Sequence, residues 1–235
     1  MTLSRIPKTE TDRRKGPLQD FPIFVINLDR SHDRRDAMHA HLTKLGLRFE
    51  FVSAVDGSRL PDDMQQLHST AKAQEKIGRP LSPGEVGCAL SHYWIYRRII
   101  DESIDVALII EDDVALSWDL VPVLCSAIEK RRDWELINLI TDVEEALLVD
   151  QPLIEPYVLT RFMEMPNRTG AYLLRTSAAE KLVEAALPIR MAADTLTGEL
   201  LQTGSVVRGV FPPLATLRPF KSTFQRGNYP PKSIV

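Results

Sequence analysis

The residues best suited to chemistry are three adjacent carboxylates, Glu111-Asp112-Asp113. Three acids in a row repel one another and gain nothing from packing. Hard divalent cations take such oxygens and complete their shell with water or phosphate oxygens. If the triplet closes a strand, alternation puts Glu111 and Asp113 on one side and Asp112 on the other. The competing reading is a solvated acidic turn. A second cluster runs from Asn27 to Arg35 and offers Asn27, Arg30 and Arg34. Guanidinium forks suit phosphate, although Arg35 reads as ordinary helix surface charge.

Other positions admit two readings each. Glu85 is fully explained as the third residue of a capping box opened by Ser82, with Pro83 at the first helical position. Ser91 and His92 lie further along that helix, where a histidine is either structural or a ligand contact. Cys88 reads as a small packing residue. Asp194 is either a helix cap or a general base. Beyond Glu199 the chain has no acid but keeps Arg208, Arg218, Lys221, Arg226 and Lys232. Such a basic end could meet phosphates or anionic headgroups, or be plain surface.

The elements that must position these groups alternate between strand and helix. Apolar runs predict strands at 21–28, 106–110, 134–140, 170–174 and 206–211, and alternation predicts one at 47–51. Helical spacing predicts helices over 32–45, 82–101, 119–131 and 177–187, the last with a Ser177/Glu180 capping box. Asp194 caps a further short helix that Gly204 ends. Residues 61–77 read as weakly helical. This alternation predicts an α/β fold with a mainly parallel sheet flanked by helices. Ligands in such sheets bind beyond the carboxyl ends of strands, and both clusters fall at such ends.

The chain has 235 residues, 44% of them hydrophobic and 26% charged, with 29 basic and 32 acidic side chains. That length favours one domain over 21–225, with a flexible segment at 1–20 and a tail at 226–235. The near-balanced charge argues against a generic nucleic-acid binder. The central apolar run, Val106 to Ile110, is far short of the roughly 20 residues needed to span a bilayer. The first twenty residues lack an apolar leader core, and two cysteines make no disulfide framework. Both point to a cytoplasmic protein, in which the Asn167-Arg168-Thr169 sequon would be idle. The Gly-rich P-loop pattern is absent, so NTP hydrolysis of that type is not expected.

The segments FVINLDRSHDRR, LSPGEVGCALSHYWIYRRII and VALIIEDDVAL occur in an order and spacing that resembles glycosyltransferase family 25. The similarity continues through RTGAYLLRTSAAEKLVEAALPI to Asp194. The resemblance implies a GT-A-like, Rossmann-type fold. It implies inverting transfer of a hexose, galactose or glucose, from a UDP-sugar to a glycan or lipid-linked acceptor, as in lipooligosaccharide or lipopolysaccharide biosynthesis. It implies a divalent metal, Mn²⁺ before Mg²⁺, on Asp113 and Glu111. Asn27, Arg30, Arg34, Glu85, Ser91, His92, Glu111, Asp112, Gly170 and Tyr172 would then face the nucleotide sugar. Asp194 would be the base, with Asp142, Glu144 and Glu145 as competitors. All five histidines lie at or before residue 92, so the late metal-binding histidine of many GT-A enzymes is missing. The missing leader disfavours a collagen-modifying enzyme and favours a bacterial one, in peripheral contact with the inner membrane through its basic tail. Two alternatives are a catalytically silent sugar-nucleotide or glycan-binding relative and a nucleotidyltransferase.

Overall fold

The computed structural model of the chain describes residues 21–130, 133–140, 147–163 and 168–218. The expected flexible start, the 226–235 tail, Lys221, Arg226, Lys232, the sequon's Asn167 and the carboxylates Asp142, Glu144 and Glu145 lie outside the described residues.

Among the described residues the core element is a sheet of eight strands. They are β1 (Ile23–Asn27), β2 (Glu50–Ser53), β3 (Val106–Glu111), β5 (Leu136–Asn138), β6 (Leu147–Pro152), β7 (Val158–Phe162), β8 (Ala171–Arg175) and β9 (Val207–Phe211). Their spatial order is β2-β1-β3-β8-β5-β9-β7-β6. The β1–β2, β1–β3 and β5–β9 pairs are parallel, whereas β8 runs against β3 and β5, and β7 against β9 and β6. Six of the eight strands therefore point one way, the mainly parallel arrangement expected. The remaining strands, β4 (Val114–Leu116) and β10 (Ala215–Leu217), form a small antiparallel ribbon just past the carboxylate triplet.

The described residues form six α-helices: α1 (His32–Lys44), α2 (Thr70–Ile77), α3 (Pro83–Asp101), α4 (Leu120–Lys130), α5 (Thr176–Ala186) and α6 (Ala193–Glu199). Alternation along the central strands divides the core in two. Ile23 and Val25 of β1, with Leu108 and Ile110 of β3, join Met38 and Leu42 of α1 and Val123 and Leu124 of α4. Phe24, Ile26, Ala107 and Ile109 face the other way and pack on Leu90, Tyr96 and Ile99 of α3 and Leu182 of α5. Both faces are covered, which is why these strands read as unbroken apolar runs. Tyr172 belongs to the second face, so β8 directs its ring toward α3.

Glycines let α3 sit close to the turn after β2. A Cβ on Gly87 would lie 2.4 Å from the Val55 carbonyl oxygen and 2.7 Å from the Gly57 nitrogen. Only a residue without a side chain permits that approach.

Local signals succeed where they are self-contained. The Ser82/Glu85 capping box forms in full at the start of α3. Gly204 ends the last turn in the left-handed region, with φ 75°. Two expected caps differ. Ser177 is not a cap, because α5 starts at Thr176 with Arg175 before it, and the Thr176 hydroxyl bonds the Ile104 carbonyl. Asp194 sits in the first turn of α6 behind Ala192, and its Oδ1 accepts from Thr195 N at 2.6 Å. The second strand starts at Glu50, where pairing with β1 from Phe24 to Asn27 begins. The ribbon strands and the β6–β7 hairpin escape a reading of hydrophobic periodicity, because they are short or partly exposed.

Candidate active site

The site is built where β1 and β3 end side by side. Asn27 is the last residue of β1 and Glu111 the last of β3. Strand alternation stops at Glu111, since Asp112 and Asp113 form the turn into β4. Asp112 and Asp113 therefore face one guanidinium instead of opposite sides. Arg34 Nη1 donates to Asp112 Oδ1 at 3.1 Å and lies 3.5 Å from Asp113 Oδ2. Arg34 is buried because it takes the first place of the α1 stripe continued by Met38 and Leu42, four and eight residues on. Asn27 Nδ2 donates to Asp112 Oδ2 at 2.6 Å.

Glu111 belongs to a second network. Thr169 Oγ1 donates to its Oε1 at 2.9 Å, and His92 Nε2 lies 3.2 Å from the same oxygen. The other His92 nitrogen, Nδ1, is 2.7 Å from Tyr172 Oη, which is 2.9 Å from Tyr96 Oη. His92 and Tyr172 are about 1% exposed. Burial pushes the Glu111 carboxyl up, but His92, Thr169 and Arg34 outweigh it and leave the pKa below the usual carboxylate range. Glu111 is thus an anion at neutral pH. Burial keeps the Tyr172 and Tyr96 hydroxyls neutral.

Asp113 is different. Burial and the charge of Glu111 push its carboxyl up to about 6, against the pull of Arg34. Its Oδ1 is buried without a hydrogen-bond partner, as is Asn27 Oδ1. A buried acceptor left without a donor is costly. An oxygen-seeking divalent cation beside Asp113 and Glu111 would remove both the orphan and the repulsion. The donor set fits such an ion.

The other expected site residues fall in varied places. Arg30 pairs with Asp56 in the turn after β2. Glu85 is taken by a bidentate bridge from Arg79, at 2.9 and 2.6 Å, and by Ser82 N. Ser91 Oγ donates to the Gly87 carbonyl and accepts from Val55 N, which ties α3 to the β2 turn. Gly170 has no room for a side chain, because a Cβ would lie 2.5 Å from Ile140 Cδ1, and its carbonyl accepts from Glu111 N at 2.7 Å. Asp194 lies on the α3 side. Burial first, then the charges of Glu111, Asp194, Asp113 and Glu85, push the Cys88 thiol up.

Three participants were not given such roles by sequence reasoning: Asp56, Tyr96 and Cys88. Cys88 and His92 stand four apart on α3, a spacing that carries the signal of a shared face. Tyr96 continues that face. A cleft of about 240 Å³ lies nearby between Gly57, Leu60, His68 and Val86 of the β2–α3 region. The residues of the carboxylate cluster do not line it.

Fold and site together define an α/β domain that gathers anionic, guanidinium and imidazole groups at the carboxyl ends of neighbouring strands. The sequence model of glycosyltransferase family 25 (LPS biosynthesis protein) matches residues 20–197, and the chain belongs to that family. Procollagen galactosyltransferase 2 of Homo sapiens is 31% identical over 179 residues, covering 69% of this chain and 27% of that protein. A Bos taurus protein named "Probable inactive glycosyltransferase 25 family member 3" is 29% identical over 180 residues, covering 72% of this chain and 29% of that protein. The chain thus spans less than a third of the length of these two relatives. The inositol-1-phosphate CTP transferase of T. maritima aligns over 86% of this chain and 89% of its own, with 13% identity and a TM-score of 0.45. Among the described residues no helix is long and apolar enough to cross a membrane.

Proposed function

We propose that this domain transfers a hexose, galactose or glucose, from a UDP-sugar to a hydroxyl of a glycan acceptor, with inversion at the anomeric carbon. The observation that carries the reading is the buried, unpartnered Asp113 Oδ1 beside the anionic Glu111, in a chain of family 25. Asp113 and Glu111 would hold a divalent cation, Mn²⁺ before Mg²⁺. Bound there, the cation supplies charge neutralisation for a departing diphosphate. The chain's own groups do the rest. Asn27 Oδ1 offers an acceptor to the nucleoside, and Arg34 brings positive charge to the diphosphate while holding Asp112 in place. His92, clamped by Tyr172, fixes the Glu111 carboxylate so that no reorganisation is needed as charge develops. An inverting displacement also needs a base on the acceptor side, and Asp194 on α6 is the carboxylate proposed for it.

The same reading extends to setting. A lipid-linked oligosaccharide of a bacterial envelope suits the family description, and Cys88 and Cys125, neither of them in a disulfide, suit a reducing cytoplasm. The test is a donor screen: protein, Mn²⁺, UDP-galactose or UDP-glucose, and a panel of glycan acceptors. Acceptor-dependent UDP release supports the proposal, and no release with any common nucleotide sugar sinks it. The resemblance to the bovine relative favours one second reading, a catalytically silent binder of sugar nucleotides. Calorimetry would then show UDP binding without turnover.

A further inference from the structure

Beside the oxygen-rich pair lies a set of ligands of another kind. The Cys88, His92 and Glu111 ligand atoms all lie within 4.8 Å of one another. Cys88 and His92 are one helical turn apart on α3, and Glu111 reaches them from the end of β3. We propose that Cys88, His92 and Glu111 form a binding site for a borderline-soft divalent cation of the Zn²⁺ type, separate in chemistry from the hard-cation position at Asp113. Sulfur, imidazole and carboxylate together select zinc or cobalt over magnesium or manganese. Three protein ligands leave a fourth position of a tetrahedral ion open.

The surroundings are those of a metal-binding histidine. Such a ring commonly uses its second nitrogen on a neighbour that fixes its orientation. Here Tyr172 Oη holds Nδ1 at 2.7 Å, and Tyr96 holds Tyr172, so Nε2 is the nitrogen left to face Glu111 and Cys88. The stacked Tyr172 ring, 5.7 Å away, restrains the imidazole further. On binding, the Cys88 thiol releases its proton to solvent and the imidazole presents a neutral Nε2. Nδ1–H then donates to Tyr172 Oη, whose own hydrogen turns to Tyr96. Cys88 and Glu111 are both partly exposed. Occupancy engages Glu111, and zinc should therefore oppose whatever Glu111 does with a hard cation. The site stands independently of the transferase reading, because its readout is spectroscopic.

The experiment is titration of the metal-free full chain with Co²⁺, read by absorption, followed by Zn²⁺ competition. The expected result is one Co²⁺ bound with a thiolate-to-cobalt charge-transfer band, displaced by Zn²⁺. Cys88→Ser should lose the band and bind Zn²⁺ at least tenfold more weakly, while Cys125→Ser should behave as the parent. A band that persists in Cys88→Ser, or Co²⁺ bound without one, overturns the proposal. Should Cys88→Ser fail to fold, X-ray absorption of the Zn²⁺-loaded parent decides. One sulfur neighbour at about 2.3 Å supports the site, and a shell of only nitrogen and oxygen refutes it.

Discussion

Asn27 and Asp112, 85 residues apart in the chain, meet through a 2.6 Å hydrogen bond, and the same Asp112 carboxylate receives Arg34. This contact locks the end of β1 to the turn after β3. Arg34 and Asp112 are each about a tenth exposed at the side chain, so the ion pair is shielded from water. Removing one partner of such a pair leaves buried charge poorly compensated. Asp113 still faces Arg34, which softens the loss. Asp112→Ala should therefore cost about 2–3 kcal/mol, below the usual range for breaking a buried pair. Urea denaturation of the variant and the parent measures it.

Asp113→Asn separates a functional carboxylate from a structural one. The folded state raises the Asp113 pKa to about 6, so it disfavours the ionised form. A neutral amide escapes that penalty, and the variant should be at least as stable as the parent at pH 8 without metal. Its Mn²⁺-dependent transfer should fall by about 10²-fold or more, the scale of losing a principal charge-stabilising group. Mn²⁺ should raise the melting temperature of the parent and not of the variant. A variant that is less stable and equally active would contradict this assignment.

Tyr172→Phe removes the hydroxyl between His92 and Tyr96 while keeping the ring. Two buried polar atoms lose a partner, which costs about 1–3 kcal/mol by denaturant unfolding. The imidazole also loses its orienting contact. If His92 positions Glu111 as argued, kcat should fall more than KM rises. Equal kinetics with reduced stability would make the chain of hydroxyls purely structural.

Glu85 supplies the pH-dependent term. Burial raises its pKa, but Arg79 and Ser82 outweigh that and hold it below the usual carboxylate range. A depressed folded-state pKa means that the unfolded chain takes up the proton first as pH falls. The stabilisation is complete above the unfolded value of about 4.3 and disappears as pH drops through the lower folded one. Glu85→Gln should thus be less stable than the parent at pH 7, by about 1 kcal/mol for the weakened cap. The two should converge as pH falls below the folded-state pKa of Glu85. Chemical unfolding at a series of pH values tests the sign.

Self-contained signals were legible in the chain. The Ser82/Glu85 box, the Gly204 stop and the apolar runs of β1 and β3 depend on residues a few positions apart, and each appears in the structure. Ser177 and Asp194 show where such reading ends. Both match a cap by type, yet α5 and α6 each start earlier, and the cap shifts by two residues, to Arg175 and Ala192. Among the site residues, Ser91 owes its contacts to tertiary packing. The family resemblance implied a donor contact for it, and the Gly87–Gly57 approach brings Val55 N within 2.8 Å of its hydroxyl.

The amino-acid sequence by itself determined the alternation of strands and helices, the two-sided burial of the central strands and the acidic triplet at a strand end. Those properties follow from residue type and short-range spacing. Tertiary structure alone decided how the three carboxylates divide their work. Glu111 goes to His92 and Thr169, Asp112 to Asn27 and Arg34, and Asp113 keeps a buried oxygen without a partner. Each partner comes from a distant segment, and the turn after β3 cancels the simple alternation. Adjacent acids with the same chemistry thus acquire different partners from surroundings that only the packed sheet and helices bring together.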